Sequence, residues 1–195
     1  MNTTVQTVQP SGCSKRWERA DRGRVAHAEK SPAYDRPMDE QELWVESYQG
    51  EVLGEALFGA LAAREDDPDR QAKLLTLTRL ERSTKDLAEP VFERHAWDRG
   101  DTAKTTADAA ALAEAVAATT WQEFLASFGP ITTQYLGTYR QLVELAGDDE
   151  DRRIAEAYVA HELALAAFAR RELGEEDGDP VEQILALPHV TAALG

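Results

Sequence analysis

The sequence predicts an all-α protein whose main body is an antiparallel four-helix bundle. Three observations lead there. No run alternates apolar and polar residues with β-branched enrichment, so strand signals are nearly absent. Long stretches instead repeat their large apolar residues every three or four positions. Alanine, the best helix former, is concentrated inside those stretches. A chain of 195 residues, 43% of them hydrophobic, is long enough for one domain with a substantial core and a tail or two.

Residues 1–38 carry Pro10, Ser11, Gly12, Ser14, Gly23, Ser31, Pro32 and Pro37 with few large aliphatics. They read as a flexible, basic N-terminal arm with room for one short helix near Arg16–Lys30. The first long helix is expected to begin near Met38–Asp39 and to run to about Arg64. Its inward stripe is Trp44, Tyr48, Glu51, Glu55, Phe58 and Ala62, which sets two acids in an apolar face. Charge is expensive to bury without a partner, so the rest of the chain must supply one or leave a wet cavity. Pro68 suits the first position of a second helix, with Asp67 as its cap. That helix runs to about His95 with the stripe Leu74, Leu77, Glu81, Thr84, Ala88, Val91 and His95, and Pro90 should kink it or end its regular part. Folded back about residues 66–67, the two helices bring Glu51 level with Glu81 and leave Glu55 about a turn away.

A loop is expected over residues 98–104. The third helix starts near Thr105–Asp108 with an alanine-rich half, is broken by Gly129-Pro130, and continues from Ile131 to Leu145 with Ile131, Tyr135, Tyr139 and Leu142 on one face. That pattern predicts one kinked helix or two nearly continuous ones. The fourth runs from about Asp149 to Leu173 with the stripe Ile154, Tyr158, His161, Glu162, Leu165, Phe168 and Ala169. Levelling this second hairpin sets Tyr135 opposite Glu162. Asp179-Pro180 then opens a short amphipathic segment, Val181 to Leu187, expected to cap one end of the bundle. The chain thus divides into an arm (1–38), a helical domain (39–175) and a C-terminal capping segment (176–195).

The net charge of −15 is uneven: residues 1–38 carry +3 and the remainder −18. An acidic body repels phosphate backbones, which argues against nucleic acid as a partner. The single cysteine, Cys13, has no internal disulfide partner. Neither a signal-like apolar region nor a run of about 20 apolar residues is present, so the expectation is a soluble cytoplasmic protein without a membrane partner. The Trp121–Phe124–Phe128 edge has two readings, a homodimer contact or core. No glycine-rich phosphate loop, Cys-x-x-Cys pair or Ser/His/Asp order offers another chemistry.

What remains is the set of inward polar residues: Glu51, Glu55, Glu81, Tyr135, His161 and Glu162, with Tyr48, Tyr139 and Tyr158 nearby. Mid-helix acids on three of four long helices resemble the ferritin-like superfamily of di-iron and di-manganese carboxylate bundles. The resemblance covers about residues 39–173. It implies an iron or manganese centre with Glu51 or Glu55, Glu81 and Glu162 as ligands. It also departs from the family, because Thr84 and Leu165 stand where Glu-x-x-His would place histidines, and His161 points about 100° around the helix from Glu162.

Three functions follow. The first is a metal-dependent oxidoreductase or oxygenase acting on a small molecule. The second is a metal-free acid–base enzyme of cyclase or isomerase type, in which a carboxyl of raised pKa moves a proton and Tyr135, Tyr158 and His161 orient the substrate. The third is a non-catalytic bundle that binds a small molecule or other copies of itself. Three acids converging in a core cost stability that packing alone does not explain, which favours an enzyme.

Overall fold

Capping residues set the helix boundaries. The computed structural model describes residues 38–192, and these are helical throughout their ordered elements, with no strand among them. Helix α1 spans Glu40–Ala62, and Asp39 and Glu42 cap it reciprocally, each carboxylate accepting from the other residue's backbone N–H. Helix α2 spans Pro68–His95, with the Asp67 side chain accepting from the N–H groups of Asp69 and Arg70. It passes Pro90 without ending, and stops at Ala96 in the left-handed conformation (φ 53°). Helices α3 (Thr102–Val116), α4 (Trp121–Ala126), α5 (Phe128–Leu145) and α6 (Asp149–Glu172) follow, then two short turns, α7 (Glu182–Leu185) and α8 (Pro188–Ala192). The basic arm expected over residues 1–38 lies, but for Met38, outside the described residues.

The stripes read from the sequence are the buried faces. Trp44, Tyr48, Glu51, Phe58 and Ala62 of α1 are buried, as are Leu74, Leu77, Glu81, Thr84, Ala88 and Val91 of α2. Helix α1 packs chiefly on α2 and also on α3 and α5, while α6 packs chiefly on α5 and also on α2. The partners run antiparallel. In the first pair, Gln71 donates to the carbonyl of Ala62 near the turn (3.0 Å), and Tyr48 donates to Glu89 farther out (2.7 Å). Between α2 and α6, Lys73 pairs with Glu172 at one end (2.6 Å) and His95 with Asp151 at the other (2.7 Å). The apolar side chains form two clusters. One is built around Leu57, Leu77, Phe128 and Phe168, and the other around Trp44, Phe92, Tyr139 and Tyr158.

Three expectations are revised. The alanine-rich stretch is not the first half of a long third helix. It is a separate helix, α3, whose Ala109 and Ala113 are buried, and small side chains there let it approach α1 closely. Besides an interruption at Ser127, two residues before the expected Gly129-Pro130 break and leaving α4 and α5 nearly continuous, the chain breaks at residues 117–120. A capping box restarts it there: Thr120 accepts from the Glu123 N–H (3.2 Å), and Glu123 accepts from the Thr120 N–H (2.8 Å). Pro130 sits in the first turn of α5, where a missing N–H costs little. Phe124 and Phe128 belong to the core, packed against each other (centroids 4.9 Å apart) and against Phe58. The C-terminal segment also does more than cap an end: α8 lies along α2, and His189 reaches the middle of that helix.

No helix of the described residues is long and apolar enough to cross a membrane. Thr120→Ala should cost about 1 kcal/mol of stability by removing the capping box. Pro130→Ala should cause no loss. Urea denaturation of the two variants checks both expectations.

Candidate functional site

Glu51, Glu81, His161 and Glu162 are buried at mid-height, between the two apolar clusters. Helical spacing brings them there. Glu51 belongs to the inward stripe of α1 and Glu81 to that of α2, and the antiparallel hairpin levels them. Helix α6 supplies adjacent residues, both of which turn inward. One oxygen each from Glu51 and Glu81 and one ring nitrogen of His161 lie within 4.8 Å of one another. His161 Nδ1 is 3.3 Å from Glu51 Oε2, and its Nε2 is 3.5 Å from Glu81 Oε1. The Tyr139 hydroxyl donates to Glu51 Oε1 at 3.0 Å. Glu51 Oε2 and Glu162 Oε1 are fully buried and accept no hydrogen bond.

A cavity of about 40 Å³ opens beside these groups, lined by Gly50, Glu51, Gly54, Glu81, Tyr135, His161 and Glu162 among others. That space holds an ion or a water molecule or two, far less than the several hundred Å³ of a drug-sized ligand site. Glycines make the close packing possible. A Cβ at Gly54 would lie 2.3 Å from Glu81 Oε2 and 2.9 Å from its Cγ, so only glycine lets the Glu81 side chain lie across α1. A Cβ at Gly50 would come within 3.4 Å of the Tyr135 ring.

Burial dominates the electrostatics. It pushes the Glu81 carboxyl up to about 8. Glu51 is raised well above the usual carboxylate range by burial and by Glu81, against the opposing pull of His161. Glu162 is raised by burial, then by the charges of Glu81 and Glu51. His161 is lowered by burial, against Glu51. Burial thus favours the uncharged form of each group, protonated for the carboxyls and neutral for the imidazole.

Of the residues singled out in the sequence, Glu51, Glu81 and His161 come together, with Glu162 and Tyr135 lining the same cavity. Glu55 does not join them. It turns to the rim of the hairpin, where Arg82 Nε donates to it at 2.7 Å and Lys85 also bonds it. Burial alone would raise its carboxyl, but these two cations hold it below its usual range. Glu55 is therefore engaged as an ion-pair residue, its oxygens directed to cations and away from the cavity. His161, expected to point aside from Glu162, is at the centre: α6 directs Nε2 toward Glu81, and Glu162 reaches the cavity beside it.

Two residues outside the candidate site set read from the sequence complete the surroundings. Thr84 Oγ1 lies 2.8 Å from His161 Nδ1 and 3.1 Å from His189 Nε2. Thr84 had a signal, since it stands three residues after Glu81 in the slot of a missing histidine. His189 had none, because it lies in a short turn outside every long stripe. A second group, His95, Asp148 and Asp151, is already satisfied. Asp151 is bonded by Arg94 and His95, and Asp148 caps α6.

Compared with family models, curated proteins and solved structures, the chain matches none.

Two predictions follow from the packing and the protons. Gly54→Ala should destabilise the metal-free protein by roughly 1–3 kcal/mol, the usual cost of overpacking, and Glu81→Ala should relieve much of that in the double variant, read by urea denaturation. The Glu81 carboxyl binds a proton in the folded state up to about 8 but releases it near 4.5 when unfolded. Its contribution is fully present below the lower value and lost as pH rises through the higher one. The metal-free protein should therefore lose stability between those limits, by about 1.4 kcal/mol per pH unit for one proton. Glu81→Gln should flatten the profile in thermal melts taken across that range.

Proposed function

We propose that this chain is a ferritin-like carboxylate bundle that binds iron or manganese through Glu51, Glu81 and His161 and acts as a metal-dependent oxidoreductase on a small molecule. The observation that carries the reading is the convergence of two carboxylates and an imidazole on one buried point, with two carboxylate oxygens left without hydrogen bonds. Buried polar atoms are rarely left so, and an oxygen-rich donor set with one imidazole suits iron and manganese. Ligands bonded at about 2.1 Å and at right angles are roughly 3 Å apart, comparable to the 3.5 Å between His161 Nε2 and Glu81 Oε1. The order of the long helices also supports a ferritin-like bundle: α1 runs against α2, α5 against α6, and the single crossover between the pairs is carried by α3 and α4.

Bound iron or manganese supplies one-electron redox chemistry. The chain's own residues do the rest. Glu51 is held by the Tyr139 hydroxyl, so one of its oxygens is fixed while the other faces the centre. Glu162 waits across the cavity as a further carboxylate that can accept or release a proton. The cavity, at about 40 Å³, admits water-sized species and excludes larger ones, which favours a small oxidant as the molecule met at the centre. The fully buried Tyr139 and Tyr158 rings, 5.1 Å apart, keep bulk water from the side facing α5.

Metal-free acid–base chemistry is the second reading, favoured by the Glu81 proton held up to about 8. The small cavity weighs against it, since an organic substrate would have to reach that proton. Elemental analysis of protein purified without chelator, then loaded anaerobically with ferrous iron, separates the two. About one equivalent per chain, lost in Glu81→Ala and kept in Glu55→Ala, is the expected result. Less than about a tenth of an equivalent after loading would leave acid–base chemistry as the better account.

A further inference from the structure

The contacts of Thr84 form a chain of their own. Its hydroxyl donates to the carbonyl of Leu80, one turn back on α2, at 2.9 Å. A hydroxyl has one proton and two lone pairs, so once that proton is committed it can only accept. Both neighbours at hydrogen-bond distance are ring nitrogens, His161 Nδ1 at 2.8 Å and His189 Nε2 at 3.1 Å, and both must then donate. His161 thus carries its proton on Nδ1. The other nitrogen, Nε2, keeps its lone pair and faces Glu81 across 3.5 Å. A neutral imidazole binds a cation only through the nitrogen without a proton, and which nitrogen that is depends on what the other one bonds.

We infer that Thr84, held between Leu80 and His189, is a positioning residue that locks His161 as the Nδ1–H tautomer and aims its Nε2 lone pair at Glu81. Threonine here does not bind the ion. It replaces a ligand on α2 by an orienting bond to a ligand on α6. Because Thr84 is fully buried, water cannot take over that bond if the hydroxyl is removed. The C-terminal segment becomes part of the site, for α8 brings His189 to fill the second lone pair of the same hydroxyl. The inference rests on the proposed metal reading for its purpose, but the tautomer itself is a property of the protein without metal.

That separation sets the experiment. Nitrogen-15 NMR of the metal-free chain, labelled in histidine, reports which ring nitrogen of His161 carries the proton, and manganese titration reports affinity. Wild type and Thr84→Ser should both show the Nδ1–H form. In Thr84→Val, which keeps the shape and loses the acceptor, Nδ1 is left with Glu51 Oε2 at 3.3 Å, so part of the population should move its proton to Nε2, where it can be donated to Glu81. Manganese affinity should then fall about 10- to 100-fold, the usual effect of losing an orienting partner. His189→Ala should shift the tautomer balance in the same direction by less. An Nε2–H form in wild type, or an unchanged tautomer in Thr84→Val, would overturn the inference whatever the metal result. A tautomer change without manganese binding in any variant would instead leave Thr84's role standing and count against the metal reading.

Discussion

The structure depends on one costly arrangement: three carboxyl groups and a histidine buried at mid-height between two apolar clusters. Burying an ionised carboxylate without a counter-charge is costly, and burial shifts all three acids toward the protonated form and the imidazole toward the neutral one. Everything around the site bears on that condition. Gly54 gives the Glu81 side chain room to lie across α1. The Tyr139 hydroxyl satisfies one oxygen of Glu51. The hairpin of α1 and α2 and the pairing of α5 with α6 hold the groups level, and large aromatic rings above and below keep water from neutralising the conflict.

Glu51 and Glu81 share a side-chain hydrogen bond, but Glu51 Oε2 and Glu162 Oε1 accept none, while the outlying acid of the same stripe, Glu55, is satisfied by Arg82 and Lys85. The contrast is informative because the two glutamates of α1 stand one turn apart. One is neutralised by cations of the neighbouring helix, and the other is left with an open oxygen in a cavity. Packing alone gives no reason for that difference; the proposed metal ion would.

Much of this was legible in the sequence, for a physical reason. A buried helix face repeats every 3.6 residues whatever it carries, so Glu51, Glu81 and Glu162 announced themselves as acids inside apolar stripes. The levelling of Glu51 with Glu81 needed only a short turn and the rise per residue. Other features lay beyond that reasoning. Glu55 belongs to the same stripe by angle, and only its neighbours Arg82 and Lys85, on another helix, draw it to the rim. His161 was placed aside from Glu162 by ideal helix geometry, yet long side chains on adjacent positions can both turn into a cavity at the edge of a stripe. The break at 117–120 was hidden because Gly129-Pro130 is the stronger breaker by composition, while the Thr120 and Glu123 box acts through side-chain bonds. His189 could not be found by periodicity at all, since it lies in a five-residue turn beyond the long helices.

The central claim is that a metal ion takes the place of protons at these carboxyl groups. The most direct test is calorimetric titration of the metal-free chain with manganese near pH 7, in two buffers of different ionisation heat. The difference between the two heats counts the protons released. The account predicts saturable binding with at least one proton released per ion, and a smaller release in Glu81→Gln. No saturable binding, or binding that releases no protons, would contradict it.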